Sequence, residues 1–66
     1  MKYEKQYRLR DELNASFPRI RSNIGQQMFR SAYYNLRLAG QSINDAALTA
    51  AEIVRLHVPG FTPVQT

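Results

Sequence analysis

The apolar residues of this chain recur with a helical period, in three blocks separated by breakers. In the first, Tyr3, Tyr7, Leu9 and Leu13 fall within one broad arc of a 3.6-residue helix, with Glu4, Arg8, Asp11 and Glu12 opposite. Glu4–Arg8 and Arg8–Glu12 form attractive i,i+4 pairs. Ser16-Phe17-Pro18 ends the block, because a residue before proline avoids the α region. The pattern predicts a helix over about 3–15.

The second block opens at Pro18, whose missing N–H costs nothing in a first helical turn. Ile20, Ile24, Met28, Ala32 and Ala39 lie on one side, joined by Phe17, and Gly40 is placed to end the helix in a left-handed conformation. A helix over 18–39 is expected, roughly 30 Å long. Gly25 weakens it unless it permits close packing. The neighbours Tyr33 and Tyr34 cannot both face the core fully.

The third block starts after Ser42, with Asp45 three residues on in the manner of a capping box. Ile43, Ala46, Ala47, Ala50, Ile53 and Val54 make an apolar stripe. Its alanines imply that another helix comes close. Pro59-Gly60 should stop the helix near 57, leaving an extended tail over 58–66. Strand signals are poor, with no Asn-Gly or Asp-Gly turn and no sustained alternation. The expected fold is therefore all-α: one small domain over 1–66, an antiparallel three-helix arrangement with an extended C-terminal tail. Its core should hold Leu9, Leu13, Phe17, Ile20, Ile24, Met28, Ala47, Ala50 and Val54. The tail reads as a frayed terminus. The competing reading is an arm whose Phe61 and Val64 insert into a partner or sister subunit.

Composition narrows the chemistry. Sixty-six residues make a marginal core, one that leans on helix packing, self-association or a partner. Cysteine is absent, so disulfides and thiolate metal sites are excluded, and one histidine, His57, cannot make a zinc site. His57 reads as a capping or packing residue near a helix end. Asp11 and Glu12 are adjacent and diverge by roughly 100° on a helix, so they are no catalytic pair. Phosphate-loop and dinucleotide glycine patterns are missing. Neither catalysis nor a cofactor nor a metal is expected. No apolar run approaches the ~20 residues of a membrane span, and the charged start MKYEKQYRLRDEL has no apolar stretch of a secretory signal. A cytoplasmic protein is the expectation, and the missing cysteine fits a reducing compartment.

Charge carries the most information. The net charge is +4 and eight of the nine Lys and Arg residues precede residue 38. No acid occurs between Glu12 and Asp45. In that gap Arg19, Asn23, Gln26, Arg30 and Arg37 recur at spacings of four, three, four and seven, one straight stripe on a helix, with Tyr33 and Tyr34 beside its end. Arg, Asn, Gln and Tyr without carboxylates suit an anionic partner, since arginine binds carboxylate or phosphate through a planar fork. A solvated polar face is the plain alternative. The expected function is a non-enzymatic regulator or inhibitor that lays this face on the acidic surface, a nucleic-acid-binding one included, of a larger protein or nucleoprotein. Small phage and mobile-element proteins offer an analogy of size and charge alone. The residues expected to carry binding are Arg19, Asn23, Gln26, Arg30, Tyr34 and Arg37, with Arg30→Glu or Arg37→Glu expected to abolish it without unfolding the domain. Two other functions compete. One is a DNA-binding regulator, which would use helix two, because helix three exposes Asp45 and Glu52 with only Arg55 as a cation. The other is a structural or accessory subunit, a homodimer included, built on the alanine-rich third helix and the tail.

Overall fold

A computed structural model describes residues 2–66, with side chains from Lys5 onward. The side chains of Tyr3 and Glu4, and with them the Glu4–Arg8 pair, lie outside the described residues. Three helices follow one another: α1 Lys2–Ser16, α2 Ile24–Leu38 and α3 Ile43–Arg55. No strand occurs among the described residues. The all-α three-helix arrangement is as the periodicity predicts. The central helix, α2, packs against both α1 and α3. Contacts between α1 and α2 run in reverse order along the chain, from Gln6 near Tyr34 to Phe17 against Phe29.

The helix ends follow capping chemistry. Ser42 accepts the Asp45 N–H at 3.2 Å and starts α3. At the end of α2, Gly40 takes φ +102°, donates to the Arg37 carbonyl, and Gln41 donates back to Leu36. That pair of bonds is a Schellman motif, and it needs the left-handed residue that glycine supplies.

One boundary differs from the expectation. Pro18 does not begin α2; residues 18–23 form a loop and the helix starts six residues later. Asn23 is the cap, its side-chain oxygen accepting the Gln26 N–H at 2.9 Å. A strong N-cap overrides the mild preference of proline for a first turn. The Gln27 side chain then donates to the Arg21 carbonyl at 2.6 Å and fixes the loop. At the other end of the fold α3 stops at Arg55, two residues before the predicted 57, with Leu56 as its cap.

The second difference is the phase of α2. Phe29 and Tyr33 are buried, whereas Ile24 is 69% exposed and Ile20 and Met28 are half-buried. The helix is turned by about one residue, roughly 100°, from the aliphatic stripe. Aromatic burial accounts for the choice. Phe17 meets Phe29 at 4.7 Å and Tyr33 at 5.2 Å between ring centroids, both edge-on, and Phe61 lies 5.9 Å from Phe29. Such rings bury more area than Ile and Met and gain from edge-to-face geometry. Tyr33 is the buried member of the tyrosine pair and Tyr34 only half-buried, as their adjacency requires. On α3, Ala46, Ala50, Ala51 and Val54 face the core, their small size letting α2 come close. Leu9, Leu13, Phe17, Ala50 and Val54 are buried as expected; Ala47 is half-buried.

The tail is not frayed. Gly60, at φ +79°, turns the chain back, and Phe61 enters this molecule's own core. Its ring lies over Gly25, where a Cβ would sit 2.8 Å from Phe61 Cδ1. Gly25 thus permits the close packing that offsets its helix cost. Thr66 ends the tail on α1, its N–H donating to the Ser16 carbonyl at 3.1 Å and its hydroxyl to that of Ala15. Truncating a buried phenylalanine costs about 3 kcal/mol. Phe61→Ala should therefore lower the urea midpoint sharply, although only five residues follow it; an unchanged midpoint would show that the tail adds nothing to stability.

Candidate partner-binding surface

The turned phase of α2 decides where the polar residues go. Gln26 is fully buried and Arg30 is 6% exposed. The six residues singled out by spacing consequently do not form one exposed stripe. Asn23 is occupied as the α2 cap. The Gln26 side-chain amide donates to the Val64 carbonyl and accepts the Val64 N–H, each at 3.0 Å. That amide pins the tail as a neighbouring strand would.

Arg30 reaches the end of α1. Its guanidinium donates to the Leu13 and Phe17 carbonyls and, at 2.7 Å, to Asn14 Oδ1. The C-terminal end of a helix carries partial negative charge, which favours a cation there; the Leu13 carbonyl also accepts the Phe17 N–H at 2.8 Å. Among the described residues no carboxylate pairs with Arg30. Burial, and secondarily the charge of Arg19, lower its pKa from the usual 12.5.

Arg37 finds a carboxylate after all. Its Nε and Nη2 donate to Glu12 at 2.9 and 3.1 Å, and Nη1 donates to the Gln41 carbonyl at 2.7 Å. Tyr33 donates its hydroxyl to the same Glu12 at 2.8 Å. Glu12 is α1's nearest acid to the acid-free gap, and it neutralises the gap's far end across the helix interface. Arg30→Glu and Arg37→Glu would thus place carboxylates against carbonyls or against Glu12, and both change the fold itself.

What remains exposed gathers elsewhere. A depression of about 950 Å³ opens between α1, the 18–23 loop and α2. Arg10 comes from α1, Arg19 and Arg21 from the loop, and Arg30 and Tyr34 from α2; Leu13 adds apolar lining. Among the described residues no carboxylate lines it. Of the six candidate residues, Arg19, Arg30 and Tyr34 reach this depression, whereas Asn23, Gln26 and Arg37 do not. Arg10 and Arg21 were not singled out. Arg21 sits in the acid-free gap but off the spacing of the stripe, and Arg10 lies on α1, so only the tertiary fold unites them.

Glu12 gives the acid-side behaviour of the fold. The hydrogen bond from Arg37 is the main cause holding its carboxyl below the usual 4.5; burial opposes this and the Tyr33 hydroxyl adds to it. The unfolded chain binds that proton more readily, so the stabilisation is full above pH 4.5 and is lost as pH falls through the folded value. Burial, then the bond to Glu12, pushes Tyr33 up from 10 to about 12, so its contribution is full below pH 10 and is lost as pH rises towards about 12. Thermal melts should show both limbs. Glu12→Gln should flatten the acid limb and Tyr33→Phe the alkaline one. In an ultraviolet titration Tyr33 should ionise late, towards about 12, and Tyr33→Phe should remove that late component; a titration with no such component would contradict this assignment.

Comparison of the chain with known protein families, with characterised proteins and with solved structures found no match.

Proposed function

We propose that this chain is a non-enzymatic regulatory protein that docks its arginine-lined depression on the acidic surface of a larger protein. One observation carries the reading: Arg10, Arg19, Arg21 and Arg30 converge on a concave surface that no carboxylate lines among the described residues. Side-chain amides and hydroxyls of Asn14, Gln27 and Ser31 surround them with further hydrogen-bonding groups. A surface serving solubility alone mixes both signs of charge. Arginine also suits an interface, because its guanidinium is weakly hydrated and forks onto carboxylates.

Concavity favours protruding side chains over a duplex. The groove-entering helices of DNA readers are convex, presenting an outer face to base edges. Here the cations ring a hollow, and the Arg30 at its base is held by α1. Carboxylates projecting from a partner would enter it.

Arg19 and Arg21 are the clean probes, since both are exposed and neither side chain anchors the fold. The variant Arg19→Glu/Arg21→Glu should unfold within about 0.5 kcal/mol of the parent. In fluorescence anisotropy it should bind labelled poly-L-glutamate at least about tenfold more weakly, equivalent to 1.4 kcal/mol. A mixed-sequence duplex, measured at two salt concentrations, is the control. Tighter binding to the duplex than to poly-glutamate, with a steep salt slope, would replace this reading by a nucleic-acid one.

A further inference from the structure

The outer face of α3 is the counterpart of the depression. Leu48 is 66% exposed and Leu56 81%. They stand eight residues apart with Glu52 midway, and Asp45 continues the line one turn earlier, so Asp45, Leu48, Glu52 and Leu56 form a single ridge. Ile53, 40% exposed, flanks it. Neither Asp45 nor Glu52 pairs with a cation among the described residues. This face lies opposite the buried stripe of Ala46, Ala50 and Val54, and its leucines are exposed among the described residues.

We infer that the α3 ridge of one molecule seats in the arginine depression of a second copy, so that the chain associates head to tail. Complementarity selects this occupant. The ridge offers two unpaired carboxylates alternating with two leucines. The depression is lined by Arg10, Arg19 and Arg21, all exposed, and by Leu13 and the half-buried Tyr34 as its apolar lining. No α3 residue lines the depression, so both surfaces are open on the same molecule. A symmetric pairing of two ridges is disfavoured. Antiparallel ridges centred on Glu52 would bring the two Glu52 carboxylates together, with Leu48 against Leu56. Joining two different surfaces leaves one of each unfilled at the ends, so association is open-ended and grows with concentration.

The inference uses the depression assigned above but needs no larger partner, and the partner it implies is defined: an acidic helix face carrying leucines. A mixing experiment separates it from the alternatives. Glu52→Arg/Leu56→Arg blocks the ridge and leaves the depression intact; Arg19→Glu/Arg21→Glu does the reverse. All four positions are exposed, and a circular dichroism melt of each variant confirms folding. By sedimentation at low salt, the unsubstituted chain should gain mass with concentration beyond two chains and lose it on adding salt. Each variant alone should stay a single chain. Their equimolar mixture should form a two-chain species and nothing larger, because each supplies the surface that the other lacks. A parent that stays monomeric at high micromolar concentration overturns the inference, as does a mixture that stays monomeric or a variant that associates like the parent. The ridge variant should still bind poly-glutamate at parental affinity. A parent that stays monomeric yet binds poly-glutamate overturns this inference alone, whereas absent poly-glutamate binding overturns the proposed function.

Discussion

The guanidinium of Arg30 on the last carbonyls of α1 is the interaction on which the arrangement depends. A helix end pressed against another element must find donors for carbonyls that have none within the helix. Here Thr66 supplies them to the Ala15 and Ser16 carbonyls, and the buried Arg30 of the neighbouring helix adds a cation at the Leu13 and Phe17 carbonyls. That contact fixes where α1 stops relative to α2. Given that register, Glu12 comes level with Tyr33 and Arg37 one to two turns along, and the 18–23 loop is drawn back over α2. The same contact spends Arg30 on structure while leaving its charge without a carboxylate, and the depression is built around that charge.

Polar side chains that belong to the interior explain most of what the sequence could not reveal. The capping signals were legible because each is local: Ser42 with Asp45, and Gly40 after Leu38, act over three to five residues. So was the alanine face of α3, where no polar residue competes for the inward position. In α2 two phases compete. Ile20, Ile24 and Met28 mark one; Phe29 and Tyr33 mark the other, but they share their face with Gln26, Arg30 and Arg37. Hydropathy weighs those three against burial. Their partners are Val64, Phe17 and Glu12, up to 38 residues away, and nothing local announces them. Once those partners are in place each of the three polar groups is hydrogen-bonded, and the larger aromatic area decides.

The candidate surface was half legible for the same reason. An acid-free, arginine-rich gap marks a basic region in any fold. Which arginines stay free depends on which ones the interior takes. Arg37 goes to Glu12 and Arg30 to the end of α1, leaving Arg19 and Arg21 on a loop that the sequence reads as helix. Arg10 joins them only because α1 lies across the start of α2. The resulting molecule is divided by sign, with free cations around the α1–α2 hollow and carboxylates along the outside of α3.

The amide of Gln26 closes the fold in a way that treats position 64 unusually. In the tail it bonds only the main-chain N–H and C=O of Val64, whose side chain remains partly in solvent. A contact made to the backbone asks nothing of the side chain. It constrains the direction in which the chain passes, together with the presence of an amide hydrogen, and is indifferent to spelling. Among natural variants of such a tail, residue 64 would be free to drift through nearly every amino acid. Proline alone, having no N–H to give, would be barred, so the mark this anchor leaves on related sequences is a single missing residue type.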